Sequence, residues 1–177
     1  MKVNWIIGKE MHTAITDSDM MKNIAPIWGS YTTWKKYKTD NSICNELSNA
    51  KDLIARAFHA ISNLYVPETN FVDLGRPVGL KLFGGKFTQE DFKFKDDIVA
   101  LWLASHDADI VLMLGFDLRS TDDTVRKGYY MSIMQIIKEH KDVQFVLVDY
   151  NIDLSDIFND LDNLQQDSLE AVQELLI

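Results

Sequence analysis

Two glycine-bearing stretches carry the residue types from which small-ligand sites are built. In Gly115-Phe116-Asp117-Leu118-Arg119 a carboxylate lies two positions from a guanidinium. Asp117 can accept hydrogen bonds from a ribose or other sugar hydroxyl, or hold a loop by pairing with Arg119. Ser120 and Thr121 supplement either role or cap the helix that follows. In Gly8-Lys9-Glu10-Met11-His12 a glycine lets the backbone approach a ligand closely, and a helix starting just beyond would offer free N–H groups to a phosphate. Lys9 and His12 would add a positive charge or a proton donor there. A third stretch, Ser30-Tyr31-Thr32-Thr33-Trp34-Lys35-Lys36-Tyr37-Lys38, mixes hydroxyls, aromatics and lysines, which suits base stacking beside phosphate contacts. It equally suits a strand followed by a solvated turn. The candidate ligand-binding residues are therefore Gly8, Lys9, Ser30, Thr32, Asp117 and Arg119, with Asp149 in a similar position.

Other chemistry finds no pattern. The three-glycine dinucleotide fingerprint and the Gly-Lys-Ser/Thr phosphate loop are missing, as is a Gly-x-Ser-x-Gly elbow. The four histidines, His12, His59, His106 and His140, show no metal-ligand spacing, so neither a metal nor a cofactor is expected. Cys44, the only cysteine, can form no internal disulfide and reads as a small buried hydrophobe in a reducing cytoplasm. No reaction is named by these residues, so whether the chain is an enzyme stays open.

The elements that would position these residues can be read from periodicity. Ile110–Leu114 is five unbroken apolar residues, the signature of a strand covered on both faces in a parallel sheet. Val3–Ile7 and residues 143–150 read the same way, residues 27–34 as a further strand, and residues 71–74 and 78–83 as short extended pieces. Helices are expected at 17–23, stopped by Pro26, at 42–65, at 98–106 and from about 121 to 140. The apolar spacing of Ile43, Leu47, Ala50, Ile54, Ala57, Phe58, Ile61 and Leu64 makes residues 42–65 the strongest helical signal.

Alternating strands and helices predict an α/β three-layer Rossmann-like sandwich. Its mainly parallel sheet would have about five strands, in the working order 3-2-1-4-5. Ligands of such folds collect at the carboxyl ends of central strands, where Gly8 and Asp117 should meet. Residues 1–150 would form this domain. Residues 151–177 would be an acidic amphipathic extension of it, with stripes at Leu154, Ile157, Phe158, Leu161 and Leu164 and at Leu169, Val172, Leu175 and Leu176.

The chain has 177 residues, is 46% hydrophobic and contains no apolar run of transmembrane length. Its net charge is −9, and seven of those charges lie in the extension, which has no Lys or Arg. The body is thus near neutral, which disfavours general nucleic-acid binding and favours a nucleotide-sized anion. The stripes of the extension offer a homodimer contact.

The pairing of an apolar helix at 98–106 with a strand ending in Gly-Phe-Asp resembles bacterial sialyltransferase-like and related Rossmann-type domains. Ile6-Ile7-Gly8 is similar to the first strand of that family. The resemblance implies a CMP-sugar donor, with nucleotide held at Gly8 and Asp117. The chain departs from the family where an Asn-Gly-Pro-Ser-type turn is usual, having Lys9-Glu10-Met11-His12 instead. Two expectations result: a nucleotide- or nucleotide-sugar-binding, transferase-like domain, or a non-enzymatic interaction module on a degenerate Rossmann scaffold.

Overall fold

A computed structural model describes residues 1–8, 18–57, 63–67, 70, 73–74, 81–83, 96–116, 124–148 and 161–176. The elements run β1 (Val3–Ile7), α1 (Ser18–Ile24), β2 (Ile27–Ser30), α2 (Tyr31–Tyr37), β3 (Asn41–Ile43), α3 (Leu47–Ala57), β4 (Asn63–Tyr65) and β5 (Lys81–Phe83). They continue with α4 (Asp96–Ser105), β6 (Ile110–Leu114), α5 (Thr124–Glu139), β7 (Gln144–Val148), β8 (Leu164–Asp167) and α6 (Leu169–Leu176). The described strands form one sheet of eight, joined by seven parallel pairings in the order β5-β4-β3-β2-β1-β6-β7-β8.

The parallel α/β sandwich is the expected class, but the sheet is wider than the five strands read from periodicity. β2, β1, β6 and β7 keep the predicted order, but β2's outer neighbour is Asn41–Ile43 rather than the extended segment of residues 71–83. The extra strands come from segments whose local pattern is not strand-like. Residues 42–65 are not one helix: Asn41–Ile43 and Asn63–Tyr65 are strands flanking Leu47–Ala57. Asn63 Nδ2 donates to Asn41 Oδ1 at 2.5 Å, so a partly buried amide pair joins β3 to β4 where helical spacing had placed a single turn-by-turn run. Leu164 belongs to β8 rather than to an amphipathic helix, and Asp73 and Leu74 are helical rather than extended. The predicted stripe at Leu154, Ile157 and Phe158 lies outside the described residues.

Strand alternation sorts the core into two faces. Ile6, Val111, Met113, Phe145 and Leu147 pack beneath α4 and α5, against Val99, Leu101, Ile133 and Ile137. Trp5, Ile7, Leu112, Leu114, Val146 and Val148 pack on the other face, with Met21 of α1 and Val172 of α6. Ile7, Gly29, Ser42 and Leu64 are register partners, so α2 and α3, through Trp34, Ala50 and Leu53, cover that second face as well. Among the described residues no helix is long and apolar enough to cross a membrane.

Candidate functional site

In this order the chain leaves β1 toward β2 on one side and returns to β6 on the other. The order therefore reverses between β1 and β6, the place where parallel α/β sheets leave a crevice at their carboxyl ends. Gly8 follows β1 and Gly115 follows β6 on this shared rim. Their approach is tighter than a crevice: the Gly8 N–H donates to the Leu114 carbonyl at 2.7 Å. A Cβ at Gly8 would lie 2.5 Å from the Gly115 carbonyl oxygen and 3.2 Å from Phe116 Cδ2. Gly115 has φ 71°, a left-handed conformation that favours glycine. Both glycines thus serve backbone packing at the switch point, with Phe116, 1% exposed, sealing the floor.

Ser30 ends β2 and starts α2. Its φ of −78° and ψ of 170° are extended, and its Oγ accepts from the Thr33 N–H at 3.3 Å. The Thr33 hydroxyl donates onward to the Ile7 carbonyl at 3.2 Å, tying the start of α2 to the end of β1. Ser30 therefore acts as a helix cap that positions the rim, while Thr32 is exposed on it. The aromatic-lysine stretch is helix α2, which corrects its reading as a strand continuing through Trp34. Tyr31 and Trp34 stack at 6.2 Å, Lys35 Nζ lies 4.5 Å over the Tyr31 ring, and the Tyr31 hydroxyl donates to Asp52 of α3 at 2.5 Å. Lys9, Asp117, Arg119 and Asp149 lie outside the described residues. Of the predicted ligand set, the structure thus places Gly8, Ser30 and Thr32 on the carboxyl rim.

Two residues that periodicity marked only as a helix start belong to the same rim. α4 runs antiparallel to the strands, so its first turn, Asp96 and Asp97, reaches the carboxyl edge, while Asn4 Nδ2 at the start of β1 meets the Ala104 carbonyl near its other end. Asp96 Oδ2 accepts from the Asn45 N–H, just past β3, at 3.4 Å. The Asn45 carbonyl in turn accepts from Asn70 Nδ2 at 2.6 Å. Burial pushes the Asp96 carboxyl up to about 6; the Asn45 N–H opposes that shift, and the charges of Asp97 and Glu46 add to it. A carboxyl titrating there can both take and give a proton near neutral pH.

Asp97 is 1% exposed and bridges α4 to α5, its Oδ2 accepting from the Tyr129 hydroxyl at 2.7 Å. Its Oδ1 is buried and, among the described residues, has no hydrogen-bond partner, an unused acceptor at a site where one is costly to leave idle. Trp28 Nε1 is a donor with no partner among the described residues, and its ring packs with Tyr65 against the core on the same face of the sheet. The signal for Asp96 and Asp97 was topological: in a parallel sheet, the first turn of a crossover helix shares the rim with the strand ends. Cys44, beside Asp96, is fully buried and its thiol is held well above the ordinary range, first by desolvation and then by that carboxylate, an environment that favours the thiol over the thiolate.

No protein-family model, curated protein or solved structure matches the chain.

Proposed function

We propose that this domain binds a small ligand of the nucleotide or nucleotide-sugar class over the carboxyl rim at the β1–β6 switch point, with transferase-like chemistry as the activity such binding would serve. The observation that carries the reading is the reversal of strand order between β1 and β6, with hydroxyl and carboxyl groups gathered on that rim. Thr32 is the exposed hydroxyl, Asp97 supplies an acceptor for a sugar or amine hydrogen, and Asp96 supplies a group able to exchange a proton near neutral pH. Lys9, Asp117 and Arg119 follow β1 and β6 in the chain and complete the set, Lys9 and Arg119 as positive charges for the phosphate and Asp117 as an acceptor for a sugar hydroxyl. The similarity of the strand ending in Gly115-Phe116-Asp117 to the sialyltransferase-like domains favours a CMP-sugar within that class. The buried, unpaired Cys44 fits a cytoplasmic setting.

Titration with CMP, UDP and GDP and their sugar conjugates, read by thermal shift and calorimetry, tests this. A ligand at about a hundredfold its Kd should raise Tm by roughly 5–10 °C, and Asp97→Asn should weaken its binding about tenfold. Absence of any shift at millimolar concentration across the panel overturns the proposal.

The second reading, an interaction module, draws on the closed packing of Gly8 against Gly115 and on Leu175, which is 71% exposed on α6. A homodimer contact through the C-terminal helices would use that residue.

A further inference from the structure

At the opposite, amino-terminal rim of the sheet, α4 and α5 end beside one another, each followed at once by a histidine: Ser105 by His106 and Glu139 by His140. The imidazole centroids are 5.0 Å apart, with the planes tilted by 68° rather than stacked. Each ring is held the same way. His106 Nδ1 lies 2.7 Å from the Trp102 carbonyl and His140 Nδ1 2.8 Å from the Ile136 carbonyl. A carbonyl oxygen can only accept, so in both rings Nδ1 carries the proton and Nε2 keeps its lone pair. This is the tautomer of a histidine prepared to bind a metal through Nε2. Among the described residues neither Nε2 has a hydrogen-bond partner.

We propose that His106 and His140 form a two-histidine site for a divalent transition-metal ion of zinc type, clipping α4 to α5. The spacing fits: a metal about 2.0–2.1 Å from two imidazole nitrogens, at a tetrahedral angle, sets the ring centroids about 5 Å apart. The electrostatics fit too, because the negative ends of two helix dipoles converge on this corner. Both rings are braced. The Trp102 and His106 ring centroids are 4.3 Å apart with the planes at 78°, and Asn163 Nδ2 donates to the Ile137, His140 and Val143 carbonyls at 3.0–3.1 Å, fixing the turn that carries His140. His106 is exposed and His140 partly so, which leaves a path for the ion and room for water at its remaining positions. The two residues are far apart in sequence and share no motif, which is why spacing alone excluded them.

Calorimetry on the full chain with Zn²⁺, Ni²⁺ and Cu²⁺, against Mg²⁺ and Ca²⁺, decides the matter. His106→Asn and His140→Asn are the informative variants, since an asparagine amide can replace the Nδ1 donor while removing Nε2, and circular dichroism checks that each stays folded. The expected result is one saturable site for the transition metals only, with either substitution lowering affinity by at least ~10–100-fold and the double variant scarcely worse than a single one. Cu²⁺ should quench fluorescence in the wild-type chain, and Trp102→Phe should remove most of that quenching. No transition-metal binding, or binding that both asparagine variants retain, as it would on the acidic residues beyond position 150, overturns the proposal.

Discussion

At the scale of single residues, the carboxyl rim is shaped by what each position lacks or hides. Gly8 lacks a Cβ because the Gly115 carbonyl occupies its place, and Asp96 hides a carboxylate whose charged form the surroundings disfavour. The consequence for stability follows from proton linkage. The Asp96 carboxyl titrates near 6 in the folded chain against an ordinary value of 3.8, so between these values the folded state holds a proton that the unfolded state has lost. Stability contributed by Asp96 is thus fully present below about pH 4, declines as pH rises toward 6, and stays reduced above. Asp96→Asn should therefore stabilise the protein at pH 7, by on the order of 1–3 kcal/mol, and flatten the slope between those limits. Urea denaturation across that pH range measures it. A variant that is less stable at pH 7 would mean that the charged carboxylate is favoured in the fold.

At the scale of elements, Ser30 decides where a strand stops. Residues 27–34 are rich in aromatic and β-branched side chains, and propensity alone continues the strand through Trp34. The hydroxyl of Ser30 instead takes the Thr33 N–H, and α2 runs until Lys38 adopts a left-handed conformation with φ 55°. Ser30→Ala removes that cap and should cost about 1 kcal/mol, seen as a lower Tm with the overall secondary structure kept. The same contest explains which elements the sequence disclosed. Continuous apolar runs such as Ile110–Leu114 and residues 145–148 read as central strands, and they carried the fold class and the shared rim of Gly8 and Gly115. Three- and four-residue strands such as Asn41–Ile43 and Leu164–Asp167 are held by their neighbours in the sheet, so no local pattern announces them. The acceptor on Asp97 was invisible for a related reason, because its partner Tyr129 comes from another helix. Ser30 and Thr32 were legible as rim residues, but the role of Ser30 as a cap was not.

At the scale of the whole molecule, the second face of the sheet is closed by α6, and this bears on whether the chain self-associates. Leu169, Val172 and Leu176 are three of the four residues of the predicted second stripe, and all three pack on Trp5, Leu112, Val146 and their neighbours, with Val172 only 2% exposed. Leu175 remains for a partner. Burying side chains of this size contributes roughly 1.5–3 kcal/mol each, so a chain ending after Ser168 should lose several of these increments and uncover the apolar face beneath. It is expected to melt at lower temperature than the full chain and to form larger species in light scattering, since an uncovered face of that kind associates. A contact between two copies through α6 would give the reverse: a full-length dimer that becomes a monomer on truncation, with its melting temperature little changed. Comparing mass and melting temperature of the two chains at one concentration therefore separates a helix that covers its own sheet from one that joins two molecules.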